Sequence, residues 1–99
     1  MNNALFRFTF DRGVSLCSAE NSVLLAALAG EALFGETCVE TDFGYRVDDQ
    51  ARTILADGST PTGSAIVRIL LHILRKEFGD AFRMERLPIT PPVRTVGAA

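Results

Sequence analysis

The second half of this 99-residue chain repeats the layout of its first. Each half reads as a strand, a helix with a polar start, a Phe-Gly stop and a further strand. The spacing predicts a first helix over Ser18 to Phe34-Gly35, followed by a strand opening Glu36-Thr37-Cys38-Val39-Glu40. It predicts a second over Thr60 to Phe78-Gly79, followed by Asp80-Ala81-Phe82-Arg83-Met84-Glu85. Two strand–helix–strand halves in so short a chain point to an α+β sandwich with pseudo-two-fold symmetry.

The local pattern fills in that outline. Leu5-Phe6-Arg7-Phe8-Thr9-Phe10 alternates, with Phe6, Phe8 and Phe10 on one face, as a half-buried strand does. Ser18 is the expected N-cap of the first helix, with Glu20 in the first turn where the helix dipole favours negative charge. From Val23 to Phe34 only Gly30 and Glu31 break an apolar run. A helix this poor in charge must be covered on more than one side, by the sheet and the second helix or by a second chain. Gly35 is expected to end it in the left-handed conformation. Thr37 to Val47 reads as one long strand with Gly44 as a bulge, Asp48-Asp49-Gln50 as a hairpin turn, and Ala51 to Ala56 as the return strand.

Thr60-Pro61 opens the second helix, since a proline at the first position gives up only a donor that has no helical partner. Ile66, Val67, Ile69, Leu70, Ile73, Leu74 and Phe78 form its inner face; Arg68, His72, Arg75 and Lys76 form its wet face. Ala81 to Leu87 is the last strand, with Phe82 and Met84 inward. The resulting order, β-α-β-β-α-β, is that of ferredoxin-like sandwiches, an antiparallel sheet with two helices on one face. One domain is expected over 1–87, followed by a proline-containing tail over 88–99 without a core pattern.

Composition narrows the function classes. A hydrophobic fraction of 47% is a surplus for a domain of this size, and some of it is expected to be buried against a partner. The formal charge of −2 gives no basic field for nucleic acid or anionic lipid. The return strand, Ala51 to Ala56, has no aromatic residue to stack on a base, which also argues against RNA. The longest apolar run, Val23 to Ala29, is too short to span a bilayer, and Met1-Asn2-Asn3-Ala4 has no basic lead into an apolar segment. No nucleic-acid or membrane partner is expected, and residence is expected to be cytoplasmic. Cys17 and Cys38 flank the first helix, roughly 25 Å apart at about 1.5 Å per residue. That is too far for a disulfide, so both are expected as thiols.

Three groups of residues could carry chemistry. Asp57-Gly58-Ser59-Thr60-Pro61-Thr62-Gly63-Ser64 lays hydroxyls and glycines at a helix start. A cap and tight turn accounts for it; the alternative is a small-molecule or anion site at Ser59, Thr60, Thr62 and Ser64. The acids Glu36, Glu40, Asp42, Asp48 and Asp49 fall on the expected second strand and its turn, as edge protection or as a docking surface for a protein. Arg12, Cys17 and His72 are reactive types, but they belong to different elements, and neither a catalytic set nor metal-ligand spacing emerges. No cofactor is expected. The sequence therefore points to a non-enzymatic interaction or regulatory module that self-associates through its first helix or an edge strand, with the anion site as the alternative.

Overall fold

Phe6, Phe8 and Phe10 fall on one face of strand β1 (Ala4–Phe10), and Phe8 and Phe10 are buried. A computed structural model describes residues 4–88 as an α+β arrangement with a four-stranded antiparallel sheet and three helices. After β1 come α1 (Leu16–Phe34), α2 (Glu36–Asp42), β2 (Tyr45–Asp48), β3 (Thr53–Asp57), α3 (Pro61–Phe78) and β4 (Phe82–Pro88). The strands lie in the order β2-β3-β1-β4, so β2 and β4 are the edges. Residues 89–99 of the expected tail lie outside the described residues.

One core holds the layers together. Phe8, Phe10, Ile54 and Ala56 of the sheet join Ala19, Val23 and Ala26 of α1, Val39 of α2, and Ile66, Val67, Leu70 and Leu74 of α3. Phe82 adds a ring about 6 Å from those of Phe8 and Phe10, within the range where tilted aromatic pairs attract. At the crossing of α1 and α3, a Cβ on Gly30 would lie 2.7 Å from Ile66 Cγ1. Glycine is needed there because the helices touch. Among the described residues, no helix covers the opposite face of the sheet, which carries Leu5, Arg7 and Thr9.

Four expectations are corrected. The stretch read as a strand from Glu36 and as a long strand from Thr37 to Val47 is helical over Glu36–Asp42, leaving only Tyr45–Asp48 as β2. The described residues therefore form three helices rather than two. The β-branched Thr37, Val39 and Thr41 mimic strand alternation, and each costs under about 1 kcal/mol in a helix. Packing outweighs that cost: Val39 is buried beside Gly30, and Thr60 Oγ1 donates to the Asp42 carbonyl at 2.8 Å. Second, the N-cap of α1 is Ser15, whose side chain accepts from Ser18 N; Glu20 lies beyond the first turn and Cys17 lies within the helix. Third, Gly35 has φ 94° and ψ 150°, open to glycine but outside the left-handed helical well. Fourth, Glu36, Glu40 and Asp42 belong to α2 and not to the edge strand.

Arg52 closes the β2–β3 turn with φ 57°. Its guanidinium donates to the carbonyls of Phe10, Asp11 and Val14, tying the loop between β1 and α1 to the hairpin.

Candidate functional site

Helix α1 carries small residues inward and large ones outward. Its buried stripe is Ala19, Ser22, Val23, Ala26 and Gly30, spaced by three and four residues. Leu24, Leu25 and Leu28 project away from that stripe, 51%, 57% and 61% exposed; Leu33 and Phe34, 68% and 41% exposed, continue the inner stripe past the end of the core. Small side chains let α1 lie close to α3; among the described residues, none of their own chain covers the leucines. The only charges on α1 are Glu20 and Glu31. Expected cover from the sheet and α3 is present on the inner side alone. By length and composition α1 could also cross a membrane, yet Ala19, Val23 and Ala26 are fully buried within the domain.

The start of α3 is built as a joint. Thr60 Oγ1 accepts from Gly63 N at 2.9 Å and donates to the Asp42 carbonyl. Asp57 Oδ1 accepts from Ser59 N at 2.9 Å. Thr62, buried, has its hydroxyl 3.2 Å from Cys38 Sγ, which donates to Asp42 Oδ2 at 3.4 Å. Ser64 N donates to the Thr60 carbonyl. Ser59, Thr60, Thr62 and Ser64 thus come together, beside Asp42 and Asp57. The amide of Gly63 that an anion would recruit is engaged by the Thr60 hydroxyl, and two carboxylates oppose negative charge. Cys38 is the member of this joint that sequence reasoning missed; its spacing of four from Asp42 signals a shared helix face only once the segment is known to be helical.

The five acids divide between two places. Glu36, Glu40 and Asp42 lie on α2, while Asp48 and Asp49 lie at the end of β2 and its turn, where Asp48 Oδ1 accepts from Ala51 N at 3.1 Å. Arg12, Cys17 and His72 are exposed on the β1–α1 loop, α1 and α3. Cys17 and Cys38 are free thiols. Among the described residues no group of three or more His, Cys, Asp or Glu is arranged to hold a metal ion.

Two hollows lie along the sheet. One of about 360 Å³ is lined by Thr9, Arg83, Met84 and Glu85; one of about 240 Å³ by Leu5, Gly44, Tyr45, Arg46, Leu55 and Asp57. Arg7 and Glu85 meet at 2.7 Å on the helix-free face, too exposed for the pair to contribute much stability. At the other edge Tyr45 Oη donates to Glu20 Oε2 at 2.8 Å, fastening β2 to α1. Burial, and then the Glu20 carboxylate, raise the Tyr45 phenol above its ordinary pKa.

Comparison with protein-family models, with curated proteins and with solved structures finds no match to this chain.

Proposed function

We propose that this chain is a non-enzymatic interaction or regulatory module that self-associates, burying the outer face of α1 against a second copy. One observation carries the reading: Leu24, Leu25 and Leu28 share the outer face of one helix and are 51%, 57% and 61% exposed. Burying the remainder of each leucine contributes on the order of 1 kcal/mol. The surface has no charge at its centre, so it favours an apolar partner, and a copy of itself supplies one.

Two further parts of the reading have support. With α2 set aside, the antiparallel sheet order β4-β1-β3-β2 fits a ferredoxin-like sandwich. Two free thiols fit a cytoplasmic setting. The anion-site alternative at Ser59, Thr60, Thr62 and Ser64 draws less support, because that joint already spends donors on Asp42, Asp57 and Thr60.

The test is the concentration dependence of thermal unfolding. Association that requires the folded state raises Tm as the protein is concentrated. Tm of the wild type is expected to climb over a hundredfold concentration range, and Tm of Leu24→Glu/Leu28→Glu to climb less steeply. A wild-type Tm independent of concentration contradicts the proposal.

A further inference from the structure

Strand β4 offers a second self-contact on a different surface, and its geometry selects a register. The bond from Asp11 N to the Ala81 carbonyl continues the β1–β4 ladder; those from Phe10 N to Arg52 and from Gly58 N to Ala4 continue the β1–β3 ladder. In an antiparallel sheet, bonds to one neighbour use every second residue. The pairs Leu5–Leu87, Arg7–Glu85 and Thr9–Arg83 are therefore the bonded ones between β1 and β4. Phe82, Met84 and Arg86 direct their backbone N–H and C=O groups to the outer edge, where no described strand pairs with them.

A two-fold contact between copies runs antiparallel and must set outward residues opposite outward residues. Centred on Arg83, it opposes two arginines. Centred on Glu85, it opposes two glutamates. Centred on Arg86, it opposes two arginines and sets Met84 against Pro88, which has no N–H to give. Centred on Met84, every position is matched. Arg83 faces Glu85 of the second copy and Glu85 faces its Arg83; Phe82 faces Arg86, a cation beside a ring; and Met84 faces Met84. The charged pairs lie on the helix-free face, where Arg7 already holds Glu85, so each carboxylate ends between two guanidinium groups. On the helix side Met84, 37% exposed, gains an apolar neighbour. The opposite edge, β2, is shorter, Tyr45–Asp48, and its Tyr45 side chain is committed to Glu20.

We infer that a second copy of this chain pairs with β4 about Met84, joining two sheets into one. Charges on an edge strand ordinarily keep sheets apart; here their order keeps out the registers centred on Arg83, Glu85 and Arg86 and favours the one centred on Met84. The contact is independent of α1.

The experiment uses the full chain with Leu24→Glu/Leu28→Glu as parent, so that the α1 face is silent, and reads solution mass by sedimentation against concentration. The parent is expected to dimerise. Arg83→Glu alone and Glu85→Arg alone each set like charges opposite and weaken the dimer at least roughly tenfold. An equimolar mixture of the two restores it, because each charge then meets its opposite. Met84→Pro removes an outward N–H that β1 does not use, so it folds and stays monomeric. A monomeric parent overturns the β4 contact, while the wild-type mass measured alongside still reports on α1. Single-charge variants that dimerise like the parent, or a mixture no tighter than its components, overturn the register.

Discussion

The Tyr45 hydroxyl donates to the Glu20 carboxylate at 2.8 Å, and this bond fastens the edge strand β2 to the first turns of α1. Because the chain has one tyrosine and no tryptophan, the ultraviolet absorbance of the phenolate reports this contact alone. Burial and Glu20 both disfavour the phenolate, so its titration midpoint is expected above 10.0. A raised folded pKa means the contribution to stability is whole below pH 10 and is lost as pH climbs through the folded value. Glu20→Gln is expected to move the midpoint back toward 10, and a midpoint unmoved by that change contradicts the contact.

Gly30 and Ile66 mark the closest approach of α1 and α3. Gly30→Ala gains about 1 kcal/mol of helix propensity but puts its methyl 2.7 Å from Ile66 Cγ1, an overlap costing about 1–3 kcal/mol. The expected net result is a loss of about 1 kcal/mol, read by urea unfolding. In an Ile66→Ala background the same substitution should become neutral or stabilising. Additive effects in the double variant would contradict the crossing.

Gly63 is held tighter still. A methyl there would lie 2.3 Å from the Asp57 carbonyl oxygen, which is backbone and cannot rotate away. Gly63→Ala is expected to cost about 2–3 kcal/mol, more than Gly30→Ala, by the same measurement.

The two thiols should differ in reactivity. Cys17 is exposed, whereas Cys38 is half-buried between Thr62 and Asp42. An aromatic disulfide reagent is expected to modify one thiol quickly and the second at least about tenfold more slowly, merging with the first in denaturant. Cys17→Ser should remove the fast phase.

The outline was legible where one signal dominated. Alternating Phe6, Phe8 and Phe10 marked β1, and Thr60-Pro61 with Gly79 bounded α3 to within a residue, because those signals act locally. Segment 36–42 misled because Thr37, Val39 and Thr41 alternate like a strand. Its helix is selected by contacts distant in sequence, Val39 beside Gly30 and Asp42 under Thr60. The same error hid the joint at the start of α3, since the partners that engage its hydroxyls lie on α2. Ser18 read as the cap because it directly precedes the helical pattern, whereas the helix starts a turn earlier, with Ser15 accepting from Ser18 N. The charge-poor first helix was expected to be covered on more than one side, by its own chain or by a second; the sequence could not tell which side its own chain would cover.

Burial of α1's outer face against another copy sets how many chains travel together in solution. The most direct measurement is the solution mass of the full chain by light scattering at micromolar concentrations, beside Leu24→Glu/Leu28→Glu. More than one chain per particle is expected for the wild type, and a smaller particle with a still cooperative unfolding transition for the variant. A wild-type monomer, or a variant of unchanged mass, would contradict that burial.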